Sequence, residues 1–246
     1  MDEHHAEEDL NRLRKQYNEL AELAGSLAHE IKNPLSVIRM NMDLLAEDLG
    51  DSKHPELRRN LRKVEIVQNQ CTRLENLLND FLKLAKLNPM ELTAGSLNQQ
   101  VEAVLDFYEA DAKQRGVELI RYLDPELPSM MLDKYSFQSA LVNLVKNALE
   151  AMPDGGQLMV RTRPTLEGIA LDLIDTGCGM DDTTVMNMFG VFYTTKDGGS
   201  GLGLPTAKKI IEAHGGRITV QSAVGRGTQF TLDFPTPKRI RQNVQA

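Results

Sequence analysis

The chain has no tryptophan, and aromatic residues make up only 5% of it. Its two cysteines, Cys71 and Cys178, are too few for a disulfide framework or a zinc site. A reducing, cytoplasmic setting is the matching expectation. No apolar run approaches the roughly 18 residues needed to cross a bilayer, and the start, MDEHHAEEDL, is too acidic and polar for a secretory signal. No membrane contact is therefore expected of this segment. Positive charge is also short: 28 Lys and Arg stand against 35 Asp and Glu, a formal charge of −7. That balance argues against nucleic acid as a partner, because displacing counterions from phosphates needs clustered positive charge. What remains is 41% hydrophobic and rests on Leu, Ile, Val, Ala and Met, a composition suited to helix packing. At 246 residues there is room for two ordinary domains of roughly 100–150 residues each.

Two regions follow different grammars. Up to about residue 88 the chain holds only Gly25, Gly50, Pro34 and Pro55 as breakers and reads as helix. Leu10, Leu13, Tyr17, Leu20, Ala24, Leu27 and Ile31 step by three and four, a heptad seam. The seam runs on through Leu35, Ile38, Met42 and Leu45 to the breaker GDSKHP. A second stripe carries Leu57, Leu61, Val64, Val67, Cys71, Leu74, Leu78, Phe81 and Ala85. Two helices of about 30 residues joined by a short turn make an antiparallel hairpin, whose apolar stripe predicts pairing with a second copy as a dimeric four-helix bundle.

From about Ser96 the pattern is mixed. A helix over about 98–115, capped by Ser96, precedes a strand at 117–123. A long helix spans about 133–151, then QLMVRTR and IALDLID alternate as a hairpin. A further helix at about 201–214 leads into two closing strands, RITVQS and TQFTLDF. The sum is an α/β sandwich, a sheet with helices on one face. The expected organisation is a coiled-coil linker at 1–19, a helical domain at 20–90, the α/β domain at 91–236 and a tail at 237–246.

Three segments carry chemistry. Asp175-Thr-Gly-Cys-Gly-Met180 closes a buried strand with a carboxylate that can accept from an exocyclic amine, and its glycines let a flat ring approach the backbone. A plain turn is the competing reading of that segment by itself. Gly199-Ser-Gly-Leu-Gly-Leu204 opens into a helix, so backbone N–H groups there suit phosphate oxygens. Asn143 and Asn147 lie four apart on the long helix and face one way. An amide oxygen is a neutral ligand for Mg²⁺, which needs few protein ligands when nucleotide phosphates supply the rest.

In this order the segments resemble the GHKL (Bergerat) nucleotide-binding domain shared by sensor histidine kinases, Hsp90, DNA gyrase and MutL. The likeness covers about residues 96–235, through the N box (Asn143 to Asn147), the G1 box (Asp175 to Gly179), the F box (Phe189 and Phe192) and the G2 box (Gly199 to Gly203). Upstream, Ser26-Leu-Ala-His29-Glu30-Ile-Lys-Asn33-Pro34-Leu35 resembles the H box of a histidine kinase dimerisation domain. The compact PhexTyrThrThrLys segment resembles the nitrogen-regulation branch. The resemblance implies a homodimeric two-component kinase core that uses ATP and Mg²⁺ to phosphorylate His29 and passes the phosphoryl group to a response regulator. Other classes in the same superfamily are a conformational ATPase and a silent dimeric scaffold.

It also implies roles. Neutral imidazole at His29 is the nucleophile, Glu30 holds its second proton, and Asn33, one turn on, orients water for dephosphorylating the regulator. Pro34 permits a bend beside the reactive His. The implied ATP site comprises Asn143, Asn147, Asp175, Gly177, Gly179, Met180, Lys196, Ser200, Gly201, Leu202, Gly203 and Thr228, with Asn147 holding the metal and Asp175 reading the adenine amine. The stretch between Gly179 and Gly199 would be a lid. One departure stands out: where many family members have Lys three residues after the second Asn, this chain has Glu150. Charge compensation at the phosphates then falls to Lys146 or Lys196.

Overall fold

A computed structural model describes residues 31–47, 55–85, 90–196 and 199–235. The seam from Leu10 to Leu27, the H-box residues His29 and Glu30, the breaker before Pro55 and the tail lie outside these residues. The chain divides into two compact units, Met1–Asn88 with Lys196–Leu202, and Pro89–Thr195 with Gly203–Ala246.

In the first unit, α1 (31–47) and α2 (Pro55–Ala85) form the expected hairpin. Arg39 bonds Glu75 at 3.0 Å and Gln68 donates to Asp43 at 2.6 Å, so position rises along one helix as it falls along the other. That is an antiparallel pair. Leu35, Val64 and Cys71 are buried between the helices, and all three lie on the stripes read from the sequence. Ile38, Leu45, Val67 and Leu74 lie on the same stripes but stay 37–50% exposed in the single chain.

The second unit is the α/β sandwich. Its helices are α3 (Leu97–Gln114), α4 (Lys134–Glu150), the short α5 (Asp182–Asn187) and α6 (Gly203–Ala213). β2 (Val117–Tyr122), β4 (Gly156–Pro164), β5 (Gly168–Asp175), β6 (Arg217–Ser222) and β7 (Thr228–Pro235) form a five-stranded sheet in the order β2-β4-β5-β7-β6. β2 runs parallel to β4 and the remaining neighbours are antiparallel. A separate two-stranded sheet pairs β1 (Thr93–Gly95) with β3 (Met130–Leu132), neither of which the sequence reading anticipated.

Period-two alternation puts Leu158, Val160, Leu171, Leu173, Phe230 and Leu232 on one face of the sheet, packed with Leu105, Phe137, Leu141, Leu144 and Ile211 from the helices. Ser96 caps α3 as expected, accepting from the Gln99 N–H, and Asp133 caps α4 by accepting from Ser136. His214 joins two helices that carry site residues. Its Nε2 accepts the Asp133 N–H at 3.0 Å, and its Nδ1 lies 2.7 Å from the Ile210 carbonyl in the last turn of α6. A carbonyl only accepts, so Nδ1 carries the proton and the ring is neutral. It packs edge-on against Phe137.

Candidate functional site

The site is built where β5 ends. Asp175, 5% exposed, closes the central strand, and its Oδ1 accepts the backbone N–H of Gly177 at 2.9 Å and of Thr228 at 3.1 Å. Both donors fix the carboxylate's orientation from neighbouring backbone. Gly177 has to be glycine: a Cβ there would lie 2.6 Å from the Ala151 carbonyl at the end of α4. Cys178 donates its N–H to that same carbonyl at 3.0 Å, which ties the loop after β5 to the helix bearing the asparagines. Gly179 adopts φ +67 beside the Ala223 carbonyl, and Gly225 donates to the Cys178 carbonyl at 2.7 Å. The loop is thus stitched to α4 on one side and to the β6–β7 turn on the other.

Asn143 and Asn147 are half-buried on α4. Asn143 Oδ1 would stand 3.3 Å from a Cβ at Gly203, the first residue of α6. The lack of a side chain at Gly203 therefore lets the second glycine motif open against the first asparagine. Lys146 lies 3.8 Å from Glu150 Oε1, so the residue that departs from the common pattern is itself paired with one of the two candidate lysines. Lys196 is exposed.

The structure brings Asn143, Asn147, Asp175, Gly177, Gly179, Met180, Gly203 and Thr228 into the second unit. Lys196, Ser200, Gly201 and Leu202 group with the helical unit, where Ser200 donates to Asp80 of α2 at 3.2 Å. Asn33 is exposed on α1, and 31–47 is helical through Pro34. Between Gly179 and Gly199 the expected lid contains α5, capped by Asp181, whose side chain accepts from the Thr184 N–H at 2.7 Å. The Thr184 hydroxyl first, and this N–H second, hold the Asp181 carboxyl below the usual range. Met188 is buried and Phe189 packs against the core beneath Lys208, while Phe192 is exposed with φ 66.

Two contributors escaped the sequence reading. The Ala151 carbonyl carries no side-chain signal at all. Ser222 ends β6 and accepts the Met180 N–H at 2.9 Å, and its register opposite Thr228 could be found only once the strands were paired.

Known families match both parts of the chain. Residues 19–90 match the family described as His Kinase A (phospho-acceptor) domain, and residues 132–238 match Histidine kinase-, DNA gyrase B-, and HSP90-like ATPase. Sporulation kinase E of Bacillus subtilis is 31% identical over 238 residues, 95% of this chain and 31% of that protein. The sensory histidine kinase/phosphatase NtrB of Klebsiella oxytoca is 32% identical over 228 residues, 88% of this chain and 62% of its own length. The chain therefore spans less than two thirds of either relative. Among solved structures, the catalytic domain of histidine kinase ThkA, in a nucleotide-free form, is 28% identical with a TM-score of 0.55, covering 60% of this chain and 100% of that one. Full-length ShkA in complex with AMPPNP shares the fold at a TM-score of 0.69 and 24% identity, over 89% of this chain and 47% of that one.

Proposed function

This chain belongs to the sensor histidine kinases, and from that premise we infer that it phosphorylates its own His29 with ATP and passes the phosphoryl group to an aspartate of a response regulator. The observation that carries the reading is the Asp175 carboxylate, held in place by the Gly177 and Thr228 N–H groups, in a chain that also carries the His29-Glu30 pair.

An ionised carboxylate only accepts, which suits the exocyclic amine of adenine. Gly177 and Gly179 let the loop close against the Ala151 and Ala223 carbonyls, which hold it beside Asp175. The loop of Ser200, Gly201, Leu202 and Gly203 opens into α6, and its N–H groups suit phosphate oxygens, with Lys196 as a cation. Among the described residues no cluster of three His, Cys, Asp or Glu side chains forms a metal cage. A donor set of amide oxygens fits Mg²⁺ shared with phosphates, and Asn147 would hold it there, where the ion would offset phosphate charge.

Phosphoryl transfer asks mainly for positioning and charge neutralisation. One His29 ring nitrogen forms the N–P bond while the bond from the γ-phosphorus to the bridging oxygen breaks, and ADP leaves with that electron pair. Glu30 takes up the proton that the other ring nitrogen shares as the imidazolium develops. Asn33, exposed on α1, is assigned to orienting the water that removes the phosphoryl group from the regulator.

The exposed Ile38, Leu45, Val67 and Leu74 supply the apolar face on which a second copy pairs into a four-helix bundle. Among the described residues no helix is long and apolar enough to cross a bilayer.

The test is the chemistry of the phosphoprotein. Labelling the chain from γ-³²P ATP should give protein-bound phosphate stable in alkali and lost in acid. ATP hydrolysis with no labelled protein would instead mark a conformational ATPase.

A further inference from the structure

α6 runs antiparallel to α4, and the two helices meet near both ends of α6. At its start, Gly203 comes so close to Asn143 that a Cβ would lie 3.3 Å from the amide oxygen. At its far end, His214 Nε2 accepts the Asp133 N–H at 3.0 Å, where α4 begins. The two meeting points lie ten residues apart on α4 and eleven apart along α6. At about 1.5 Å per residue the two spans match, so the helices are held in register over the whole of α6.

Asp133 is itself a fixed point. Its Oδ1 accepts the Ser136 N–H at 2.9 Å, and its Oδ2 accepts the Glu91 N–H at 3.1 Å. It is thus tied to the cap of α4 and to the segment leading into β1. His214 is aimed from the other side: its Nδ1 proton goes to the Ile210 carbonyl, and its ring packs edge-on against Phe137 of α4. The residue is buried, so water does not stand in for the bond. The Gly203 approach permits the pairing, and the His214 bond directs it.

In the nucleotide reading above, both helices serve one ligand. Asn147 on α4 would hold the metal, and the N–H groups that open α6 would meet phosphate oxygens. Mg²⁺ demands near-ideal octahedral geometry and tolerates little displacement of its ligands. We propose that His214 is a positioning residue for metal-bridged phosphate binding: its bond to the Asp133 N–H sets α6 along α4, and with it the spacing between Asn147 and the start of α6. The inference rests on the nucleotide reading and deepens it. His214 acts from the far end of α6 and touches neither nucleotide nor metal.

Calorimetric titration of the full chain with ADP, in Mg²⁺ and in EDTA, tests this through two variants. An asparagine amide reaches only as far as Nδ1, so His214→Asn can keep the Ile210 bond but leaves the Asp133 N–H without its acceptor. A glutamine oxygen reaches as far as Nε2, so His214→Gln can keep the bond between the helices. His214→Asn should lose about tenfold of the affinity gained from Mg²⁺, the scale of removing a group that orients a metal ligand, and should bind ADP in EDTA as the parent does. His214→Gln should keep the gain. An undiminished gain in His214→Asn overturns the proposal, because the turn at Gly215 and Gly216 into β6 then fixes α6 by itself. Equal weakening in Mg²⁺ and in EDTA overturns it too, and so does a gain lost as fully in His214→Gln as in His214→Asn. If His214→Asn does not fold, His214→Gln decides alone, and loss of its gain overturns the role of the bond. Parent protein that binds no ADP removes the nucleotide reading together with this one. Parent protein that binds ADP without a gain from Mg²⁺ removes the metal role of Asn147 and the role of His214, and leaves the base reading standing.

Discussion

Thr228 donates its backbone N–H to Asp175 Oδ1 at 3.1 Å across the β5–β7 ladder, and Gly177 donates to the same oxygen at 2.9 Å. Asparagine can keep both bonds through its own Oδ1. In doing so it turns an NH₂ group to where the carboxylate had an oxygen, and a donor then faces the base amine. Asp175→Asn should therefore fold normally yet bind ATP and ADP about 10- to 100-fold more weakly, both alike because they share the adenine. Asn147→Asp should chiefly impair Mg²⁺-dependent phosphoryl transfer. Calorimetric titration of the two variants with ADP separates the roles, and undiminished ADP affinity in Asp175→Asn would contradict the assignment.

Acid should weaken the α/β unit through a different carboxylate. Asp172 is fully buried on the opposite face of β5, where desolvation alone would raise its pKa. The Thr231 hydroxyl at 2.7 Å and the Arg161 and Arg163 guanidinium groups outweigh that and hold it below the usual range. Asp133 is held low as well, first by the Ser136 N–H. The unfolded chain then takes up protons at higher pH than the folded one. The contribution is fully present above about pH 4, the ordinary carboxylate value, and is lost as pH falls through the lower folded values. Urea midpoints should fall between about pH 6 and pH 3. Asp172→Asn should fall less over that span, after a loss of about 1–3 kcal/mol at neutral pH.

Much of this architecture is legible locally. The Ser96 cap, the alternation in QLMVRTR and IALDLID, and the glycines after Asp175 each announce an element within a few residues. The hydrophobic stripes of α1 and α2 announce the hairpin in the same way. What is not legible depends on partners far apart in the chain. The parallel pairing of β2 with β4 places Val117 opposite Gly156, and nothing in either strand encodes that neighbour. β1 and β3 are three residues each, too short for a period to register. His214 meets Asp133, and Ser222 meets Met180 and Thr228, only after the helices and strands have packed. α5 had a local signal in Asp181 and Thr184, but six residues between glycine-rich stretches read as loop.

Kinase and phosphatase activities should separate between Glu30 and Asn33. Asn33 is exposed, so Asn33→Ala should change stability by no more than about 0.5 kcal/mol. Autophosphorylation should stay largely intact while dephosphorylation of the cognate regulator slows. Glu30→Ala should do the reverse and lower autophosphorylation by about 10²–10⁴-fold, the usual loss on removing a general base. Regulator dephosphorylated by Asn33→Ala as fast as by the parent would remove the role assigned to that amide.

The most direct test of the account is His29→Gln, assayed for protein-bound phosphate from γ-³²P ATP beside ADP affinity and circular dichroism. Glutamine keeps a polar side chain at that position but has no nucleophilic ring nitrogen. The account predicts unchanged ADP binding and helix content with no alkali-stable label. Persisting alkali-stable label on another residue, such as His54 or His214, would contradict it.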